Sequence, residues 1–95
     1  MAETRMLTVI TYDISRPRVR ARVADVLEAR MVRVQDSVFE AHLTRRESVA
    51  LFARIRRLVQ PGDLLRLYAV PHAGRARCHT HGGAPIAEEG GALIL

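Results

Sequence analysis

Lysine is absent from this 95-residue chain, cysteine occurs once, and no apolar run approaches the about 20 residues that cross a bilayer. The short runs exclude a membrane-spanning helix, and no membrane partner is expected. The single Cys78 excludes an internal disulfide, and the first residues show no charged start followed by an apolar stretch, so a cytoplasmic protein is expected. No segment repeats. Without lysine the basic side chains are arginine, 15 of them against 10 acidic residues, for a formal charge of +5. Such a balance favours polyanionic partners through steering and counterion release, and arginine grips phosphate with a bidentate fork where lysine offers a point charge. A genomic preference for arginine would give the same count, so charge alone names no partner. A chain of this length forms one domain, residues 1–95, burying roughly 60–65% of its unfolded surface, and is small enough to gain from dimerisation.

What is present reads as alternating strands and helices. Met6 to Tyr12 (MLTVITY) is rich in β-branched residues and bounded by Asp13 and Pro17, which predicts a buried strand. Ser15 stands where an N-cap would, Pro17 in the first turn, and Val19, Val23, Val26 and Leu27 recur at helical spacing to about Arg30. The other faces of this helix carry Arg16, Arg18, Arg20 and Arg22. These cluster in sequence beside Asp13, and a merely solvated face is the plain alternative.

From Val32 to Leu43 apolar and polar residues alternate around Gln35, Asp36 and Ser37, the pattern of a hairpin with a turn or bulge at its centre. Thr44 and Glu47 have capping-box spacing, and Leu51, Phe52, Ile55, Leu58 and Val59 mark one face of a second helix ending before Pro61-Gly62. Arg54, Arg56 and Arg57 fall on its outer side. Asp63 to Val70 (DLLRLYAV) predicts the fourth strand, so the core spans about 6–70; residues 71–91 are rich in Gly, Pro and His and predicted irregular. The order βαββαβ predicts an α+β ferredoxin-like sandwich, two helices on one face of a four-stranded sheet. The apolar end, Ala92 to Leu95, predicts an additional strand that adds to a sheet edge, with a partner protomer as acceptor; folding back on its own domain is the alternative.

Tyr12-Asp13-Ile14-Ser15 at the end of the first strand, followed by Arg33-Val34-Gln35-Asp36-Ser37-Val38-Phe39-Glu40, resembles the signature of the CRISPR-associated endonuclease number two family, the small partner of the CRISPR spacer integrase. The resemblance runs from about Leu7 to Val70, includes Pro61-Gly62-Asp63, and weakens through the tail. It implies a symmetric homodimer in which Asp13 of each copy faces its counterpart, and in which Leu93 to Leu95 complete the partner's sheet. It further implies a metal-dependent nuclease on RNA or duplex DNA, and a bridge between integrase dimers during spacer capture. Many members carry Asp or Asn where this chain has Arg16, and Arg where it has Val19.

The chemistry accounts for the carboxylate. Mg²⁺, or Mn²⁺ in its place, is commonly held by one or two carboxylates with waters and substrate phosphate, so two copies of Asp13 could share one ion. That ion would generate hydroxide and stabilise charge on the phosphodiester oxygens. Helix capping is the plain alternative for Asp13. Arg16, Arg18, Arg20 and Arg22 are the candidates for phosphate binding. Tyr12, Ser15, Ser37 and Phe39 are candidates to support the cleft, Ser15 as a cap in preference to a nucleophile because no His lies at local spacing to serve as its base, and Phe39 chiefly as core. Cys78, His79 and His81, with His72 nearby, invite a zinc site, but Cys-His-Thr-His lacks a second paired set. Two rivals stand beside the nuclease: a DNA-binding scaffold with an idle centre, and a toxin-like endoribonuclease on the same fold.

Overall fold

The computed structural model describes residues 3–87. Its elements are β1 (Arg5–Asp13), α1 (Pro17–Glu28), β2 (Val32–Gln35), β3 (Val38–Thr44), α2 (Arg45–Arg56), β4 (Leu64–Val70) and a 3-10 helix (His72–Arg77). The strands form one four-stranded sheet in the order β2-β3-β1-β4, with β1 antiparallel to both β3 and β4. This is the ferredoxin-like α+β arrangement. The β-branched run of the first strand lies at the centre of the sheet, where both of its backbone edges are paired.

Alternation along β1 sends Thr8, Ile10 and Tyr12 to the helix side, where all three are buried. Ile10 sits between Phe39 and Leu67 on the neighbouring strands, and Val23, Ala24 and Leu27 of α1 with Leu51 and Ile55 of α2 close over them. Each such apolar side chain taken fully out of water contributes about 1.5–3 kcal/mol. The hairpin forms where predicted: Asp36 and Ser37 make the turn, and a register shift between Arg33 and Gln35 marks a bulge.

Helix α2 begins with the complete capping box. The Thr44 hydroxyl accepts from the Glu47 N–H at 3.1 Å, and Glu47 Oε1 accepts from the Thr44 N–H at 2.8 Å. Glu47 also receives Arg5 at 3.0 Å and Arg30 at 2.7 Å, joining the starts of β1 and α2 to the turn after α1.

Four expectations need correction. The N-cap of α1 is Arg16, with extended backbone (φ −81°, ψ 120°) and no side-chain cap bond, and not Ser15. That helix ends at Glu28, short of Arg30, and α2 ends at Arg56, so Leu58 and Val59 reach the core from the turn that follows and not from the helix. The segment after β4 is ordered further than its composition suggests: Arg75 Nη2 donates to the Ala87 carbonyl at 3.2 Å, and Ala87 is buried. The C-terminal strand predicted for Ala92 to Leu95 lies outside the described residues.

Candidate active site and nucleic-acid interface

Asp13 closes β1. Because Tyr12 points into the core, Asp13 falls on the face of the sheet away from the helices, paired in register with Leu64. It is exposed, and its carboxylate makes no ion pair or hydrogen bond among the described residues.

The backbone around it is held from three sides. Ile14 is buried, and Arg20 Nη1 donates to its carbonyl at 2.9 Å. The Ser15 N–H donates to Asp63 Oδ1 at 3.2 Å, while Asp63 Oδ2 accepts from the Gln60 N–H at 2.8 Å. The turn containing Asp63 needs Gly62 at φ +93°, a conformation that L side chains adopt at a cost. On the other side, the Tyr12 N–H donates to the Ser37 carbonyl at 3.2 Å and the Tyr12 hydroxyl to the Asp36 carbonyl at 3.1 Å. The Tyr12 ring stacks on Phe39 with centroids 6.2 Å apart, and Phe39 in turn lies under the Arg33 guanidinium at 5.4 Å. Arg33 donates through Nε and Nη2 to the Asp36 carbonyl at 3.0 and 2.7 Å, fixing the hairpin tip.

The predicted residues therefore divide. Tyr12, Ser37 and Phe39 shape the backbone beneath Asp13 through ring stacking and hydrogen bonds to the hairpin turn. Ser15 contributes its N–H to the same end. Arg16 and Arg18 are exposed on the first turn of α1, without ion pairs among the described residues. Arg20 is turned back on Ile14, and Arg22 lies further along, lining a depression with Asp25, Val26, Arg54 and Leu58. Sequence reading missed Asp63, Arg33 and the bridging role of Glu47. An Asp directly after Pro-Gly was a visible signal for the first; nothing local marks the other two.

The charges nearby fit this division. The Glu47 carboxyl is held below its ordinary value of 4.5, chiefly by the Thr44 backbone N–H, with the Thr44 hydroxyl, Arg5 and Arg30 adding to it and desolvation opposing. Arg66, on β4, has its basicity raised by its hydrogen bond to the Tyr68 hydroxyl at 2.9 Å.

As a metal ligand, Asp13 fits in part. A free, exposed carboxylate is the hard oxygen donor that Mg²⁺ takes together with waters and phosphate. No group of three or more His, Cys, Asp or Glu that could hold an ion occurs among the described residues. Cys78, His79, His81 and His72 do not converge on a zinc site there; Cys78 Sγ instead donates to the Gly74 carbonyl at 3.7 Å. No helix of the described residues is long and apolar enough to cross a membrane.

A four-stranded sheet under two helices, with an unengaged carboxylate at the end of its first strand and arginines without ion pairs among the described residues at the start of the helix that follows, defines a small ferredoxin-like α+β protein. The chain belongs to the family of CRISPR associated protein Cas2, whose family model matches residues 6–77. It is 40% identical over 79 residues to CRISPR-associated endoribonuclease Cas2 3 of Chloroflexus aurantiacus, covering 82% of this chain and 85% of that one. It is similar to the crystal structure of Streptococcus pyogenes Cas2 at pH 6.5, with a TM-score of 0.69 and 29% identity over 81% of this chain and 100% of that one. It also resembles a chain of a partial Cas6-RT-Cas1–Cas2 complex, with a TM-score of 0.70 and 26% identity over 95% and 99% of the two chains.

Proposed function

We propose that this protein serves CRISPR adaptation as a homodimer that binds nucleic acid, works beside the CRISPR integrase in the cytoplasm, and hydrolyses phosphodiester bonds at Asp13 with Mg²⁺ or Mn²⁺. The observation that carries the reading is the free Asp13 carboxylate, held on a backbone that Ser15–Asp63, Arg20–Ile14 and Tyr12–Asp36 fix in place. Relatives named as endoribonucleases and a solved assembly with Cas1 support it.

Dimerisation would supply what one chain lacks. A second Asp13 would complete the ligand set, and a divalent ion bound between the two would provide hydroxide at neutral pH and stabilise charge on the phosphodiester oxygens. Asp13 itself supplies the oxygen ligand, and Arg16 and Arg18 supply bidentate donors for flanking phosphates. Two observations favour an interface between copies. Leu64 and Tyr68 are 41% and 51% exposed on the side of β4 away from the helices, and the outer edge of β4 has no strand beside it among the described residues. Beyond that edge, an open groove between α2 and β4 is lined by Val49, Phe52 and Leu67, apolar positions suited to the side chains of an added Ala92–Leu95 strand.

The test is cleavage of labelled single-stranded RNA and duplex DNA by wild-type and Asp13→Ala protein, each with Mg²⁺ and with EDTA. Metal-dependent products that vanish in the variant are expected. The lone carboxylate also favours a second reading, a non-catalytic scaffold that holds DNA and integrase in register. Binding by both proteins without cleavage by either would establish that role instead.

A further inference from the structure

Helices α1 and α2 lie side by side on the outer layer, and small residues leave a furrow between them. It holds two depressions of about 360 and 340 Å³, the first beside Ala29 and Ala50, the second beside Val26. Arginines line both: Arg30 and Arg46 in the first, Arg22 in the second, and Arg54 in both. Arg18 precedes Arg22 by one helical turn and extends the same face.

The furrow's positive charge is only partly cancelled internally, by the pairing of Arg30 with Glu47 at 2.7 Å. Of its two acids, Glu47 is already engaged by Arg5, Arg30 and the Thr44 N–H, which leaves Asp25. Arg22 and Arg54 have no ion pair among the described residues, and Arg46 approaches Glu3 only at 3.8 Å with its side chain 86% exposed, a pair of little worth. Arg46 and Arg54 are about 12 Å apart along α2, a length over which each strand of a duplex presents three to four phosphates, and Arg22 faces them from α1. Guanidinium forks in two rows across a shallow furrow suit a run of phosphates better than a single anion.

We propose that the α1/α2 furrow is a second nucleic-acid site, which takes the phosphate backbone of duplex DNA without reading its sequence. It lies on the helix layer, whereas Asp13 faces away from the helices, so one protein can hold two segments of nucleic acid. The inference shares its ligand class with the proposed function but requires neither Asp13 nor a metal.

A photo-crosslinker placed on the furrow tests it directly. Ala50→Cys in a Cys78→Ser background carries an azidophenacyl group, Ser15→Cys in the same background carries it near Asp13, and the probe is a fluorescent duplex DNA. Crosslinks from position 50 that fall several-fold on adding Arg22→Ala/Arg46→Ala/Arg54→Ala are expected. In the otherwise unaltered protein, the same triple change should reduce the slope of log affinity against log salt by about 2–3, one unit per lost phosphate contact. The three side chains are exposed, so thermal melting by circular dichroism should match wild type. Crosslinks from position 15 alone, or an unchanged salt slope, would overturn the furrow and leave the proposed function standing. Crosslinks from neither position would overturn both.

Discussion

The Ser15 N–H donates to Asp63 Oδ1 at 3.2 Å across 48 positions of sequence, so the backbone just after Asp13 is tied to the turn that starts β4. Asp63 also accepts from Gln60, and one side chain therefore sets both the exit of β1 and the approach to its neighbour. Asp63→Ala is expected to lower stability by about 1–2 kcal/mol, the loss of charge-assisted hydrogen bonds to a partly exposed acid. Cleavage, where present, should fall with it although Asp13 is untouched. Urea denaturation and the nuclease assay on Asp63→Ala and Asp63→Asn check this, with the amide, which keeps one acceptor, falling between.

Acid should act through Glu47. Its folded carboxyl has a depressed pKa, so its contribution is full above the ordinary value of 4.5 and is lost as pH falls through the folded value. Glu47→Gln should be less stable than wild type at pH 7 and show a flatter loss of stability below about pH 4.5. Denaturation midpoints across pH 3–7 give the comparison, and parallel curves would show that the cap carries no titration. Thr44→Ala, which removes the other half of the box, should cost about 1 kcal/mol at neutral pH.

Phe39 is fully buried between Tyr12 and Arg33. Phe39→Ala is expected to cost about 3–5 kcal/mol, enough to unfold a marginal domain of this size. Phe39→Leu, which keeps volume without the ring stack, should lose less. Calorimetric melting of the two variants distinguishes packing volume from stacking.

The uncovered side of β4 should be the dimer face. Tyr68→Glu places a charge where an apolar patch would be buried, and because Tyr68 is half exposed in the single chain the fold should survive. Sedimentation velocity is expected to show a monomer with an unchanged circular dichroism spectrum. A dimer of wild-type stability would place the interface elsewhere.

Much of the fold was legible because its signals are local. The β-branched run of β1, the polar centre of the hairpin and the Thr44–Glu47 box each specify their element within a few residues, and Asp13 stood out as the acid at a strand's end. What was missed depends on partners far along the chain. The start of α1 is set one residue later than the serine suggested, with the Ser15 N–H taken by Asp63. Leu58 and Val59 keep helical spacing yet reach the core after the helix has ended. The arginines read as one cluster but separate in space: Arg20 folds back on Ile14, Arg22 lies between the helices, and only Arg16 and Arg18 stand free on the first turn. The furrow was invisible for the same reason, since each helix supplies one bank of it.

The strand that carries Asp13 is made first and completed last. Leu7 pairs with Val70 and Arg5 with Thr44, so β3 is complete by residue 44 but β4, the other neighbour of β1, only by residue 70. At about 5–20 residues per second, that strand waits roughly 3–12 s on the ribosome for β4 to follow it. Chain closure of this kind is slow, and until β4 arrives one edge of the apolar strand stays unpaired. The backbone around Asp13, which depends on β1 and β4 together, is thus not set until the last strand has joined the sheet.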